Sequence, residues 1–237
     1  MKFITSSENK TYKEIKKLSQ HSHRERQGLF IAEGERIVRD AMQGGFVRQI
    51  IISEDYKGEI SEQFEVFCFS NKLFNSLSDT KTTQGIAAVC EIKRYLACDL
   101  LGGLVVICDG VADPGNLGTI IRTAECAGAG GVFLLEGCAD PYNPKTVRST
   151  MGSIFRVPVC YIEADELSLF KDYDVAAAVL DGSKDLYDIK FNAKTAVIIG
   201  SEAHGVSARV SEYANIRLKI PMQGGAESLN ASVAAGI

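Results

Sequence analysis

No stretch of about 18 consecutive apolar residues occurs in the 237-residue chain, so the sequence offers no membrane span. Met1-Lys-Phe-Ile-Thr-Ser is followed by polar residues instead of an apolar core, which argues against a secretion signal. The seven cysteines (Cys68, Cys90, Cys98, Cys108, Cys126, Cys138, Cys160) are an odd number at irregular spacings, with no CxxC pair. Most lie in apolar segments, which reads as reduced thiols in a cytoplasmic protein and not as disulfides or zinc ligands. The three histidines, His21, His23 and His204, add no metal spacing, so no metal is expected. Neither GxGxxG nor GxxxxGK[ST] is present, which removes the usual dinucleotide fingerprint and the P-loop.

What is present suffices for a sizeable core: 46% of residues are hydrophobic, and the length suits one large domain or two. Charge is unevenly placed. Residues 1–48 hold ten Lys/Arg against six Asp/Glu, a net of +4, whereas the whole chain is −4. A basic front on an acidic body points to a polyanion contact near the N-terminus, or else to a solvated helix face.

Along the first 90 residues the pattern predicts helices over 10–20, 35–44 and 72–77, and strands over 29–32, 47–52, 64–69 and 85–90. His21–Gly28 reads as a polar, basic connection, and Thr80–Gly85 as a polar loop. The alternation implies a small α/β domain. Residues 91–102 change character and mark a boundary. Beyond it, short apolar strands (104–108, 131–135, 157–162, 175–180, 196–199, 216–220) alternate with helices (117–126, 144–151, 166–173, 207–214). That pattern implies a parallel sheet covered on both faces.

Three polar, glycine-containing clusters lie at the C-terminal ends of these strands, where open α/β sheets place ligands. The first runs from Asp109 to Ala124. In it Pro114-Gly115 makes a turn, Asn116 is an N-cap candidate, and Arg122 interrupts an apolar helix and so requires an anion or a carboxylate. The second is Ile199-Gly-Ser-Glu-Ala-His-Gly205. The third is the final run: a strand closed by Pro221, a Gly224-Gly225 hinge, and a small-residue helix opening around Glu227-Ser228-Leu229-Asn230. Singly, each is compatible with an ordinary strand–loop–helix connection.

Taken in order, Asn116-Leu-Gly-Thr-Ile-Ile-Arg-Thr-Ala124, Ile199–Gly205 and Ile220-Pro-Met-Gln-Gly-Gly-Ala-Glu-Ser-Leu-Asn230 resemble the TrmH/SpoU family of RNA ribose 2′-O-methyltransferases, within the SPOUT class. Asn143–Phe155 also fits the family pattern, and Arg24, Gly28, Phe30 and Glu33-Gly34 resemble its small substrate-binding domain. The resemblance implies an α/β fold with a small RNA substrate-binding domain over 1–95 and a SPOUT methyltransferase domain over 103–237, closed by a trefoil knot. It implies S-adenosylmethionine as methyl donor, RNA, chiefly ribosomal RNA, as substrate, and a homodimer. Carried onto this sequence, the donor site is Gly200, Glu202, Ile220, Met222, Ser228 and Leu229. The catalytic set is Arg122, Asn116, Ser228 and Asn230.

A ribose 2′-hydroxyl is a poor nucleophile that must be aligned and its developing charge stabilised. A guanidinium stays protonated, so Arg122 is read as a cation for the target phosphate and the forming alkoxide, not as a base. Asn116 positions the helix carrying Arg122 or touches substrate. Ser228 binds the donor or ribose, or satisfies a helix N-terminus, and Glu202 balances the donor's sulfonium or anchors its loop. Arg148 meets RNA phosphate or crosses the dimer interface, while His21, His23, Arg24 and Arg26 form the RNA patch of the small domain. The chain stops at Ile237, within an expected helix bearing Leu229, Val233 and Ile237 on one face, which reads as a truncation. The same chemistry on tRNA, and a non-catalytic RNA-binding protein of the same fold, are the alternatives.

Overall fold

The computed structural model describes residues 1–78, 80, 82–181, 184–225 and 227–237. Lys81 of the polar loop and Ala226 of the final run lie outside the described residues. In chain order the elements begin β1 (Lys2–Ile4), α1 (Lys10–Lys17), α2 (His21–Gln27), β2 (Leu29–Glu33), α3 (Glu35–Gln43), β3 (Val47–Ser53), β4 (Val66–Phe69), α4 (Asn71–Asn75) and β5 (Ile86–Glu91). They continue with β6 (Leu104–Asp109), α5 (Pro114–Cys126), β7 (Gly131–Leu134), α6 (Pro144–Ser149), β8 (Val159–Tyr161), β9 (Asp174–Ala178) and β10 (Lys184–Asp185). The last are β11 (Thr195–Gly200), α7 (Ala208–Ser211), β12 (Ile216–Lys219) and α8 (Ala231–Ala234).

The chain divides into two compact units: Met1–Lys93 with Tyr142–Phe155, and Arg94–Pro141 with Arg156–Ile237. The first is built on a mixed sheet ordered β1-β4-β3-β5-β2, in which β5 runs antiparallel to both β3 and β2. Tyr12, Ile15, Phe67, Phe69 and Phe74 fill one core of this unit. Tyr142–Phe155 joins it through aromatic contacts: Tyr142 meets Phe30 at 4.9 Å and Phe155 meets Phe46 at 4.9 Å between ring centroids. Side chains of this size each contribute about 1.5–3 kcal/mol on burial.

The expected polar connection over residues 21–28 is instead the helix α2, ended by Gly28 in the left-handed conformation. Its sequence has no apolar stripe, because two polar side chains occupy its inner face: His23 and Arg24 are 4% and 2% exposed. β1 and β10, of three and two residues, carry too little pattern to be read from sequence.

The second unit holds a seven-stranded, all-parallel sheet ordered β10-β12-β9-β11-β6-β7-β8. One face packs Val105, Ile107, Phe133, Val175 and Ile198 against Leu167, Phe170 and Tyr173. The 164–170 stretch is a 3-10 helix with a Glu163/Glu166 capping box, where the sequence predicts an ordinary helix. The other face is less completely covered than expected. Over Val197, Ile199, Leu218 and Ala178 it opens into an apolar cavity of about 310 Å³, bounded by Phe191 and by Ala234, Ala235 and Ile237.

All seven cysteines are free, as the spacing suggests. Burial pushes the Cys90 and Cys108 thiols well above the usual range, so they remain neutral. Among the described residues no helix is long and apolar enough to cross a membrane, and no group of three potential metal ligands occurs.

Candidate active site

β11 and β6 are parallel neighbours, with Gly200 directly opposite Asp109, and β12 stands across β9 from β11 in the same parallel sheet. β6, β11 and β12 each then release a loop, and these loops are the three clusters singled out in the sequence. α5 begins at once after the first. Its N-cap is Asp113, whose Oδ1 accepts from the Asn116 backbone N–H at 2.9 Å, followed by Pro114 at the first helical position. The cap expected at Asn116 therefore lies three residues earlier, and Asp113-Pro114 is the signal that marks it. Leu117, Ile120, Ile121 and Ala124 bury the inner stripe of α5.

Freed from capping, the Asn116 side chain works outward. Its Nδ2 donates to Glu202 Oε1, and its Oδ1 accepts from Asn230 Nδ2 at 3.0 Å. One residue from each cluster thus meets at a single amide, and a sequence separation of 114 residues is closed there. The contact with Glu202 ties its loop to the start of α5. Asn230 is also the N-cap of α8, its Oδ1 accepting from the backbone N–H groups of Ser232 at 3.0 Å and Val233 at 3.4 Å. The helix consequently opens at Ala231, so Leu229 precedes it and does not share a helical face with Val233 and Ile237.

The Ile199–Gly205 loop is tightly folded. Ser201 and Gly205 exchange backbone hydrogen bonds of 3.1 and 2.9 Å, and Gly205 has φ +67°, a region open to glycine. A Cβ on Gly200 would fall inside the backbone of Gly205 and Val206. Asp109, 9% exposed, fastens the far end of the loop: its Oδ2 accepts from the Ser207 N–H at 2.6 Å. Sequence reading gave Asp109 no role. A carboxylate closing an apolar strand before Gly110 is the signal that could have found it. Beneath, the Cys138 thiol donates to the Cys108 carbonyl at 3.2 Å, and burial raises the pKa of both thiols.

Arg122 departs from expectation. It is exposed on α5, and its side chain makes no hydrogen bond or ion pair with another described residue. An exposed guanidinium requires no buried counter-charge. Ser228 is exposed, outside any helix, and does not cap α8. Ile220 and Leu229 are half-buried and Met222 is 37% exposed, so the apolar residues expected at the donor site stand partly uncovered on the loops. Of the six expected donor residues, Ile220 alone borders the 310 Å³ cavity.

In the first unit the four residues expected to form the RNA patch differ in burial. Arg24 Nη1 donates to the carbonyls of Leu18 and Ser19, both at 2.8 Å, which fixes the α1–α2 turn. His23 Nδ1 accepts from Arg26 Nη2 at 2.8 Å, which leaves Nε2 as the protonated nitrogen facing Glu14 at 3.4 Å. The His23 and Arg24 side chains are both buried and bonded internally, as buried polar groups must be. His21 and Arg26 are exposed, and Arg148 is half-buried on α6.

Comparison with known proteins gives this geometry a context. The model of the SpoU rRNA methylase family matches residues 103–237, and that of the MRM3-like substrate binding domain matches residues 9–88. The chain is 35% identical over its whole length to 97% of the 23S rRNA (guanosine(2553)-2′-O)-methyltransferase RlmP of Bacillus subtilis. It is 29% identical, over 90% of its length and 67% of the relative, to the mitochondrial rRNA methyltransferase 3 of Mus musculus. Among solved structures, an AdoMet-bound rRNA methyltransferase from Sinorhizobium meliloti superposes with a TM-score of 0.89 at 31% identity, covering 99% of this chain and 94% of that one. AviRb of Streptomyces viridochromogenes, a SpoU methyltransferase in complex with AdoMet, gives 0.86 at 28% identity, covering 96% and 94%. Matched over more than half its length by the family model, and over all of it by a relative above 30% identity, this chain belongs to the SpoU rRNA methylase family.

Proposed function

We propose that the chain is an S-adenosylmethionine-dependent RNA ribose 2′-O-methyltransferase acting on ribosomal RNA. The observation that carries this reading is the meeting of Asn116, Glu202 and Asn230, which draws three separate loops to one edge of the parallel sheet. The names of the relatives support the reaction and the ribosomal substrate. The donor site takes Gly200, Glu202, Ile220, Met222, Ser228 and Leu229. These residues fit such a molecule: apolar Ile220, Met222 and Leu229 stand partly uncovered for an adenine, and Glu202 adds a carboxylate for a sulfonium. When bound, S-adenosylmethionine supplies an electrophilic methyl carbon.

The remaining work belongs to the chain's own residues. Arg122, uncovered on α5, holds the target phosphate and stabilises the negative charge that grows on the ribose 2′ oxygen. Asn116 and Asn230 keep the start of α5 in place relative to the other loops, and Ser228 hydrogen-bonds the donor or the ribose. The 2′ proton leaves to a phosphate oxygen or to water. Residues 1–95 serve as the RNA substrate-binding domain and 103–237 as the methyltransferase domain, with the loops after β11 and β12 forming a trefoil knot. The protein works in the cytoplasm as a homodimer.

Arg122→Ala tests the central assignment. Methyl transfer from labelled S-adenosylmethionine to ribosomal RNA should fall by about 10²-fold or more. S-adenosylhomocysteine affinity, measured by calorimetry, should stay within a few-fold. Loss of that affinity would make Arg122 structural, and no binding of S-adenosylhomocysteine by the unaltered protein would sink the enzymatic reading.

A further inference from the structure

The first unit carries a concavity that the proposed mechanism does not use. It is a cavity of about 170 Å³ lined by Lys16 of α1, Ile31 and Glu33 of β2, Leu77, and Val147 and Arg148 of α6. A dry cavity of about 150 Å³ admits benzene, so this one has room for a single flat ring system and not for a drug-sized ligand. Its walls are of two kinds. Ile31 and Leu77 are half-buried and Val147 is 1% exposed, which gives an apolar bed. Lys16 and Arg148 bring two cations from two different helices.

Glu33 is the informative member. Its Oε1 accepts from Ser78 Oγ at 2.6 Å and from Thr80 Oγ1 at 3.1 Å. Two hydroxyls therefore fix the carboxylate's orientation, as a recognition group requires. An ionised carboxylate accepts and cannot donate. A ligand beside it must present N–H donors while offering negative charge to Lys16 and Arg148.

We infer that this cavity is a subsite for one unpaired guanosine nucleotide of the RNA substrate. The base lies on the bed of Ile31, Leu77 and Val147, its N1–H and N2–H₂ edge faces Glu33, and its phosphates meet Lys16 and Arg148. Single-stranded RNA is read in this way, by splayed bases hydrogen-bonded along their Watson–Crick edges. Uracil presents one N–H between two carbonyl oxygens, and a carboxylate opposes both. The subsite holds a nucleotide and performs no chemistry. It rests on the reading of the chain as an RNA-acting enzyme and adds a sequence preference to it.

The test uses the full chain and two fluorescent single-stranded RNA pentamers, one all uridine and one with a central guanosine, titrated over a salt series. The guanosine pentamer should bind at least about fivefold more tightly. Glu33→Gln retains an acceptor for Ser78 and Thr80 but offers the base an amide, and it should erase that preference without changing the uridine affinity. Arg148→Ala should weaken both pentamers and lower the slope of log affinity against log salt by about 0.7, the loss of one phosphate contact. A preference that survives Glu33→Gln, or a slope untouched by Arg148→Ala, overturns the subsite, and thermal unfolding checks that both variants fold. S-adenosylhomocysteine calorimetry on the same samples separates the two levels. Donor binding without guanosine preference removes the subsite and leaves the methyltransferase reading standing, whereas absence of both removes both.

Discussion

Two glycine-containing loops leave the same edge of the parallel sheet, and they are built in opposite ways. The loop after β11 is closed on itself: Ser201 and Gly205 pair, Asp109 holds Ser207, Asn116 holds Glu202, and Gly200 has backbone where a side chain would go. The loop after β12 is open. Gly224 and Gly225 have no described atom within 4 Å of where a Cβ would sit, and Asn230 is where the loop is tied to α5. In sequence both look like turn glycines. The difference shows that glycine has two uses at this edge: in the first loop it permits a packed scaffold, and in the second it leaves space beside Met222, Ser228 and Leu229.

The sharpest way to break this contrast is Gly200→Ala. Its methyl group would meet backbone atoms that no rotamer change can move, so the loop must shift as a whole. The expected loss is about 2–4 kcal/mol, or roughly 4–16 °C in Tm for a chain of this size. S-adenosylhomocysteine binding should fall with it, because the same loop carries Glu202. A variant with unchanged Tm would mean that the loop yields easily, and the contrast with the second loop would vanish.

How far these features could be read beforehand depended on what carried the signal. The parallel sheet was legible because its strands, buried on both faces, are nearly continuous apolar runs such as Leu104–Cys108 and Ala196–Ile199. The three clusters were legible from their place after those strands and from the family resemblance. α2 was not, because its buried face is made of His23 and Arg24, and a polar inner face leaves no hydrophobic period. The sequence makes Asn116 look like a cap because its partners are distant: the amide bridge to Glu202 and Asn230 is long-range, and composition at one position cannot reveal it. Nor could sequence tell Gly200 from Gly224. What separates them is the return of the chain at Gly205-Val206, a tertiary fact. The joining of Tyr142–Phe155 to the first unit is of the same kind, set by the Phe30–Tyr142 and Phe46–Phe155 ring contacts.

A smaller effect tests whether Asn116 truly couples the two loops. A double-mutant cycle of Asn116→Ala with Glu202→Ala should show a coupling of about 0.5–1 kcal/mol in thermal unfolding, since the pair is charge-assisted but partly solvated. A parallel cycle of Asn116→Ala with Asn230→Ala, a neutral amide pair at 3.0 Å, should give less. If neither cycle departs from additivity, the loops are held independently and the shared amide is incidental.

The smallest stability effect belongs to Gly224→Ala, and it probes the open side of the contrast. Gly224 does not adopt a positive φ, so alanine introduces no backbone strain there, and its methyl group points into space free of described atoms. Removing a glycine also narrows the unfolded ensemble, which offsets any small loss in the folded state. Tm should therefore stay within the change given by about 0.5 kcal/mol. A methyl group that costs the free protein nothing can still obstruct a ligand entering from that side, so S-adenosylhomocysteine affinity should fall by a few-fold while Tm holds. A fall in Tm like that of Gly200→Ala would show the second loop to be packed as the first is. With Tm and affinity both unchanged, the donor would have to lie elsewhere than in front of Gly224, and the space beside Met222, Ser228 and Leu229 would lose its claim to be the donor's side of the edge.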